Sequence, residues 1–312
     1  MRRQLRNQRH GAVHPGNNGL VRGQQVALKQ GGEPAQRIGR NRRSTIHNKH
    51  PNLLHLFALP PYPARLEKGE KHMAAVTEGG LLGNRLRYKQ LASGHRSGFE
   101  PILLAACVPA QPGEKVLEAG TGAGAALLCL AARVPGVHGI GVERAADLAA
   151  LANENFKNNG FSELSAVQGD TTALPFASQS FHHVLANPPW FNAAGTASPD
   201  TARDLAHRAA PGLLEGWITE LGRVVRPKGS ISLILPAASF ATATAALRAQ
   251  KCGTITLLPL WPRAGQAAKM VILTARKASR AADKVLPGLI LHDEFGITAS
   301  AQAVLRDGAA LP

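Results

Sequence analysis

Cysteine, acidic residues and long apolar runs are all scarce in this sequence, and each scarcity narrows the class of protein. Cys107, Cys129 and Cys252 lie far apart without a Cys-x-x-Cys pair, which argues against a disulfide framework or a metal site and favours buried, reduced thiols in a cytoplasmic protein. No apolar run approaches the roughly 20 residues that a membrane-spanning helix needs. With 20 Asp and Glu against 36 Lys and Arg, the formal net charge is +16, which indicates an acidic partner such as nucleic acid.

The excess positive charge is concentrated in residues 1–72, which carry 14 Lys and Arg against 3 Asp and Glu. This segment shows no sustained period of 2 or 3.6 residues, and its composition is typical of a disordered basic tail. Three interpretations compete: a nucleic-acid-binding arm, a targeting peptide (although no apolar stretch follows its arginines), or a segment outside the functional protein. We favour the last, with Met73 as the true start, so we expect a basic extension at 1–72 and one domain at 73–312.

Residues 116–124 combine a short aliphatic run, the acid Glu118 and glycines at every second position, namely Gly120, Gly122 and Gly124. This pattern predicts a strand, a tight turn and a helix start, in which the glycines let the backbone approach a ligand closely. It differs from the Gly-x-Gly-x-x-Gly that cradles a diphosphate in dinucleotide-binding enzymes. We therefore expect a nucleoside with an amino-acid tail, the alternative being a structural glycine-rich turn.

Strands and helices alternate after this turn, which predicts a parallel sheet with ligands at the carboxyl ends of its strands. The predicted helices cover residues 102–108, 125–133, 145–157, 213–225 and 239–250. The predicted strands cover residues 116–118, 137–142, 165–168, 181–186, 230–235, 254–258 and 270–275. A turn alone joins the last two strands, so we expect them to be antiparallel. Earlier in the chain, residues 82–86 predict a hairpin turn, and the spacing of Ser97 and Glu100 predicts a capping box.

Two acids and one arginine are candidate ligand contacts. Glu143 ends the second predicted strand 19 residues beyond Gly124, close to the spacing at which an α/β nucleotide fold places an acid on a ribose. Asp170 follows the third strand, where its carboxylate could accept the exocyclic amine of an adenine. Arg96 precedes the first helix and could face the tail of the ligand. An ordinary solvated side chain is the alternative for Glu143 and Arg96.

The fourth predicted strand runs directly into Asn187, Pro188, Pro189 and Trp190. The two prolines fix φ and remove two N–H donors, and a residue before proline is held extended. The result is a rigid segment with two hydrogen-bond acceptors, the Asn187 side-chain oxygen and the Pro188 carbonyl, beside the flat face of Trp190. Such a segment could bind a planar group that bears an NH2, such as adenine or a carboxamide. We interpret the neighbouring His182 and His183 as structural residues.

These motifs together resemble the class I S-adenosylmethionine-dependent methyltransferases, and the Asn-Pro-Pro-aromatic motif resembles that of members acting on planar nitrogens. The flanking segments are similar to those of the bacterial tRNA(Val) adenine N6-methyltransferase family: residues 90–106 with Gly-His-Arg and Leu-Leu-Ala-Ala, residues 258–263 and residues 289–292. The resemblance covers about residues 76–311. It departs from the family at Trp190, where Tyr is common, and at His182 and Glu100, where Asp is more usual.

The resemblance implies a Rossmann-like α/β fold: a seven-stranded, mostly parallel sheet with an antiparallel last strand and helices on both faces. It implies S-adenosylmethionine as cofactor, tRNA as partner, no metal, and a monomer. The implied cofactor-binding residues are Glu118, Gly120, Thr121, Gly122, Gly124, Glu143, Asp170, Asn187 and Arg96. The implied catalytic residues are Asn187, Pro188 and Trp190, which would hold a flipped adenine with its amine oriented for methyl transfer.

Three functions remain open at this stage. The first is an RNA adenine N6-methyltransferase, the second a glutamine N5-methyltransferase acting on a protein, and the third a non-catalytic cofactor- or RNA-binding module. The intact glycine turn and Asn187 argue against the third. The glutamine enzymes usually carry an N-terminal helical domain that residues 1–72 do not resemble. A basic surface formed by Arg263, Lys269, Arg276 and Lys277 would suit RNA, although a solvated charged face explains these residues equally well.

Deletion of residues 1–72 should preserve folding and methyl transfer, because the segment is too polar to contribute to a core. Thermal unfolding and turnover of the shortened and full chains provide the comparison. A large fall in melting temperature on deletion would show that the segment packs against the domain. A loss confined to RNA affinity would support a nucleic-acid-binding arm.

Overall fold

A computed structural model of the chain describes residues 75–92, 98–189 and 212–312, and in this range strands and helices alternate as the pattern predicts. Strands β1 to β13 span, in chain order, Val76–Leu81, Leu86–Leu91, Lys115–Ala119, His138–Glu143, Leu164–Gln168, Phe181–Ala186, Val225–Pro236, Cys252–Trp261, Met270–Lys277, Lys284–Val285, Leu289–Ile290, His292–Asp293 and Gly296–Ile297. Helices α1 to α6 span Glu100–Ala106, Ala125–Arg133, Ala146–Asn158, Leu213–Val224, Phe240–Ala249 and Ala299–Leu305.

The central sheet has the strand order β10-β8-β9-β7-β6-β3-β4-β5, with β11 also pairing with β8. Every neighbouring pair among strands β3 to β7 is parallel, whereas β9 is antiparallel to both β7 and β8. The predicted antiparallel strand is therefore confirmed. The predicted count of seven strands is wrong, because the described residues already form a sheet of nine. The additional strands, β10 and β11, are two residues long, too short to show a period of 2 in the sequence.

Alternate residues of the central strands enter two separate cores, one on each face of the sheet. Val116 belongs to the core that contains α1, α2 and α3, whereas the adjacent Leu117 belongs to the core that contains α4 and α5. Both residues are fully buried. This coverage of both faces explains why the strands are apolar runs rather than alternating ones, as is usual for parallel sheets. The helices on both faces agree with the expected fold class.

A two-stranded antiparallel hairpin, β1–β2, precedes the main sheet and turns at residues 82–85 as predicted. The buried side chain of Asn155 on α3 attaches this hairpin to the domain. Its Oδ1 accepts from Lys89 N at 2.9 Å, and its Nδ2 donates to Lys89 O at 2.8 Å and to Ala123 O at 2.9 Å. One amide therefore connects α3 with strand β2 and with the residue before Gly124.

The start of α1 differs from the prediction. The helix begins at Glu100 rather than at Ile102, and its N-cap is Phe99. The capping box depends on Ser97, so it stays a prediction. Ser97 lies outside the described residues. Pro101 does occupy the first turn, where its missing N–H leaves no intrahelical hydrogen bond unmade.

The three cysteines are free and buried, as the sequence suggested. Within the described ranges, no helix has both the length and the apolar character required to cross a membrane. The same residues contain no group of three or more His, Cys, Asp or Glu side chains arranged to hold a metal ion.

Substitution Asn155→Ala should lower the free energy of unfolding by at least about 2 kcal/mol, because it leaves buried backbone groups at Lys89 and Ala123 without partners. Asn158→Ala, three residues later on the exposed face of α3, is the matched control and should have a small effect. Urea unfolding of both variants measures the difference. Equal destabilisation would mean that the amide contacts of Asn155 contribute little.

Candidate active site

The carboxyl ends of β3, β4, β5 and β6 form one edge of the sheet, and the predicted site residues follow these ends. In register, Ala119 of β3 lies between Val142 of β4 and Ala186 of β6, and Glu143 pairs with Gln168 of β5. The structure therefore places Gly120, Glu143, Asp170 and Asn187 along the same edge. This is the edge at which parallel α/β sheets bind ligands.

The three glycines of the turn all have positive φ: +69° at Gly120, +54° at Gly122 and +87° at Gly124. A Cβ at Gly120 would lie 2.6 Å from the ring of Trp217, and one at Gly124 would lie 2.5 Å from the ring of Phe156. A Cβ at Gly122 would meet no described atom within 4 Å. Gly120 and Gly124 are therefore required by packing as well as by backbone conformation, whereas Gly122 borders open space.

Glu118 lies beneath the turn with only 4% of its surface exposed. Its Oε2 accepts from the Thr121 hydroxyl at 2.7 Å and from Leu127 N at 3.3 Å, so it connects β3, the turn and the first residues of α2. Burial raises the pKa of Glu118 to about 8, against the opposing effect of these two hydrogen bonds. Its position favours a role in shaping the turn.

Glu143 supports the turn from the end of β4. One carboxylate oxygen accepts from Gly122 N at 3.0 Å, and the other accepts from Ala145 N at 2.9 Å. The turn is also tied to β4 through Val142 O, which accepts from Gly120 N at 2.8 Å and from Thr121 N. The carboxylate of Glu143 is thus placed next to the glycine that borders open space.

Asp170 follows β5 and caps a short 3-10 turn at Thr171–Ala173. Its Oδ1 accepts from Thr172 N at 2.8 Å and from the Thr172 hydroxyl at 2.7 Å. The hydrogen bond from the Thr172 backbone, followed by that from its side chain, holds the pKa of Asp170 below its usual value. The carboxylate is therefore ionised at neutral pH and is exposed at the binding edge.

Asn187 is the first residue after β6, and Pro188 and Pro189 follow it. The side-chain Oδ1 of Asn187 is buried and has no hydrogen-bond partner in the described structure. Buried polar atoms are nearly always hydrogen-bonded in native proteins, so an orphan acceptor at a binding edge indicates a missing donor. Trp190 and Arg96, the other predicted contacts, lie outside the described residues.

The four basic residues predicted to form one surface are divided between two edges. Arg263 and Lys269 lie in the connection between β8 and β9 at the carboxyl edge, whereas Arg276 and Lys277 end β9 at the opposite edge. The reason is the reversed direction of β9, whose Met270 pairs with Pro236 and whose Arg276 pairs with Ser230. The single basic surface expected from the sequence is therefore wrong.

The two histidines of β6 have structural contacts near the other edge. His182 Nδ1 accepts from Lys115 N at 3.1 Å. The ring nitrogens of His183 lie 2.7 Å from the Ser230 hydroxyl and 2.8 Å from a Glu114 carboxylate oxygen. Burial lowers the pKa of His183, although its hydrogen bond to Glu114 opposes the shift. These contacts agree with their interpretation as structural residues.

Sequence reasoning missed Trp217, a buried residue of α4 whose ring packs against Gly120. Its contribution is to fix the first residue of the glycine turn from the face of the sheet opposite α2. The available signal was a large aromatic residue among the apolar positions of a predicted amphipathic helix. That signal indicates burial, but it does not identify a partner about 100 residues away in the chain.

Substitution Gly122→Val should abolish binding of S-adenosylmethionine, because the new side chain would project into the open space beside the turn. Gly113→Val is the matched control: Gly113 also has positive φ (+81°), and a Cβ placed there would meet nothing within 4 Å, but it precedes β3 at the opposite edge. Both variants carry similar backbone strain. Calorimetry that found unchanged affinity in folded Gly122→Val protein would contradict the site.

The raised pKa of Glu118 predicts a pH-dependent stability. Because the folded-state pKa is about 8 and the ordinary value is 4.5, the folded state retains a proton that the unfolded state releases. The stabilising contribution is complete below pH 4.5 and is lost as the pH rises towards 8. Glu118→Gln should remove this loss, so its stability relative to the parent should increase with pH in urea unfolding.

Comparison with known proteins agrees with this geometry. A family profile described as "Methyltransferase domain" matches residues 116–212, from the first core strand to the start of α4. Among solved structures, a "predicted O-methyltransferase" from Agrobacterium tumefaciens is similar, with a TM-score of 0.57 and 26% identity, covering 68% of this chain and 97% of that one.

Two relatives share the same name, tRNA1(Val) (adenine(37)-N6)-methyltransferase. The protein from Actinobacillus succinogenes is 29% identical over 223 residues, which cover 68% of this chain and 91% of the relative. The protein from Actinobacillus pleuropneumoniae is 30% identical over 175 residues, which cover 55% of this chain and 73% of the relative. Because the similarity extends over most of the length of these relatives, the chain belongs to the class I S-adenosylmethionine-dependent methyltransferases, in the family of the tRNA1(Val) (adenine(37)-N6)-methyltransferases.

Proposed function

We propose that the protein transfers the methyl group of S-adenosylmethionine to the N6 amine of an adenine in tRNA. The relatives described above carry the name of this activity. The observation that carries the proposal is the Oδ1 of Asn187 at the carboxyl edge of the sheet, which is buried and has no partner among the described residues. An exocyclic amine is a donor that would satisfy this acceptor.

The residues of the site fit the cofactor. The open space beside Gly122 accommodates a ligand that approaches the backbone, which a side chain would block. Glu143 offers a carboxylate for ribose hydroxyls, and Asp170 offers one for an adenine amine. When bound, the cofactor supplies a methyl group on a positively charged sulfur. The buried Glu118 holds the turn in shape through Thr121 and Leu127.

Asn187 and Pro188 orient the target base in this mechanism. The adenine leaves its stack, and its amine donates one hydrogen bond to Asn187 Oδ1 and one to the Pro188 carbonyl. These two acceptors fix the direction of the nitrogen lone pair and stabilise the positive charge that develops on the nitrogen during methyl transfer. The N–C bond forms as the methyl–sulfur bond breaks, and the nitrogen then returns to neutrality by losing a proton to water. A strong general base is not required for that loss.

Positive charge supports an RNA partner. Residues 73–312 carry 22 Lys and Arg against 17 Asp and Glu, and the exposed Arg263 and Lys269 lie on the same edge of the sheet as Asn187. Arg276 and Lys277 lie at the opposite edge of the sheet from Asn187. We further propose that the activity resides in residues 73–312, which act as a monomer in the cytoplasm.

A glutamine side chain on a protein is the second candidate substrate. Its carboxamide is planar and bears an NH2, so it offers Asn187 and Pro188 the same two donors as adenine does. The site geometry therefore accepts either group, and the names of the relatives favour adenine.

Substitution Asn187→Ala should lower the turnover number for methyl transfer to tRNA by a factor of about 10²–10³. This is the usual effect of removing one preorganised hydrogen bond to a group that becomes charged in the transition state. Affinity for S-adenosylmethionine should change little, because the cofactor is held mainly at the glycine turn. Asn158→Ala, an exposed asparagine on α3, serves as the control and should retain full activity.

The assay offers total tRNA and a protein extract side by side with radiolabelled cofactor, followed by nucleoside and amino-acid analysis. We expect label in N6-methyladenine that depends on Asn187. Label in glutamine with none in tRNA would overturn the proposal in favour of the second candidate. Unchanged turnover of Asn187→Ala at saturating substrate would show that the reaction takes place elsewhere.

A further inference from the structure

A second site lies at the amino edge of the sheet, opposite the candidate active site. There, an open cavity of about 360 Å³ is lined by the end of α1, the end of α2, strands β7 to β9 and residues 310–312. Its volume falls at the lower end of the range for small-molecule sites. The proposed methyl-transfer mechanism makes no use of this cavity.

Hydroxyl groups from three adjacent strands line one side of the cavity. They belong to Ser230 of β7, Thr274 of β9 and Thr256 of β8. Thr256 and Thr274 are direct partners in the β8–β9 register, so their side chains share one face of the sheet. Ser230 is held in place by its hydrogen bond to His183. Thr256 and Thr274 are half-buried, so their side chains remain accessible from the cavity.

Two arginines, Arg133 and Arg276, also line the cavity. Arg133 is half-buried; its Nη2 donates to Ala105 O at 2.8 Å and to Val108 O at 2.6 Å, while its Nε is buried without a partner. Arg276 Nη1 donates to Lys228 O at 2.9 Å. Within the described ranges, neither guanidinium lies within 4.0 Å of a carboxylate, and no Asp or Glu lines the cavity.

Arg133 is the half-buried cation of the two, and its buried Nε has no hydrogen-bond partner in the described structure, which is costly, whereas Arg276 is exposed. Guanidinium groups recognise phosphate and carboxylate through paired N–H donors, and hydroxyl groups complete the coordination of such anions. We propose that this cavity binds a small molecule with an oxyanion group, a phosphate or a carboxylate, between Arg133, Arg276 and the hydroxyls of Thr256 and Thr274. Ala106 and Leu311 provide apolar contacts for the rest of the ligand.

The experiment measures thermal unfolding of the full chain in increasing sodium phosphate or sodium acetate, with sodium chloride at equal ionic strength as reference. Saturable stabilisation beyond the chloride reference is expected with at least one of the two anions, and the anion that gives it identifies the preferred oxyanion. Ligand binding to the folded state alone raises the melting temperature in this way. The absence of saturable stabilisation by both anions would overturn the proposal.

Arg276→Gln should weaken the apparent affinity for that anion about tenfold, the effect of losing one charge-assisted hydrogen bond. Arg280→Gln, an exposed arginine four residues later that does not line the cavity, is the matched control and should bind normally. Thr274→Val keeps the shape of the side chain and should also weaken binding. Equal loss in Arg276→Gln and Arg280→Gln would indicate non-specific charge screening and contradict the site.

Affinity for S-adenosylmethionine, measured in the same variants, should stay at the level of the parent protein. The two sites lie at opposite edges of the sheet, so loss of the anion should leave the glycine turn intact. This measurement tests the anion site separately from the proposed function. Anion binding can be absent while methyl transfer is retained, and methyl transfer can be absent while the anion binds.

Discussion

The buried carboxylate of Glu118 determines the shape of the glycine turn in the candidate site. It is buried, and its hydrogen bonds to Thr121 and Leu127 bring the end of β3, the glycine turn and the start of α2 into a fixed arrangement. Placing a carboxyl group there costs free energy, and its raised pKa is the sign of that cost. A structure accepts such a cost where a precise backbone geometry is needed, and here the geometry is that of a turn open to a ligand at Gly122.

The remainder of the site is arranged around that turn by contacts from both faces of the sheet. Trp217 packs on Gly120 from the α4 side, Phe156 packs on Gly124 from the α3 side, and Glu143 holds Gly122 N from the adjacent strand. The turn is therefore held on three sides by packing and hydrogen bonding and is open on the fourth. Rigid support of this kind reduces the reorganisation that ligand binding requires.

Sequence alone predicted the parts of this structure that depend on local pattern. The helix at 125–133 and the strand at 181–186 were predicted with their observed limits, because apolar periodicity and flanking glycine or proline define such elements locally. The co-location of Gly120, Glu143 and Asn187 followed from the rule that parallel strands share a carboxyl edge. Long-range contacts were not accessible in this way. The packing of Trp217 on Gly120 and the division of the basic residues between two edges depend on which segments meet in three dimensions.

Asn155 couples the β1–β2 hairpin to the glycine turn of the candidate active site. Its single amide group is bonded to strand β2 at Lys89 and to the glycine turn at Ala123. A displacement of β2 relative to the turn therefore stretches at least one of these hydrogen bonds, and the two segments move most easily as one body. The hairpin and the glycine turn, which are separated by more than 30 residues of sequence, are therefore joined through one side chain of α3.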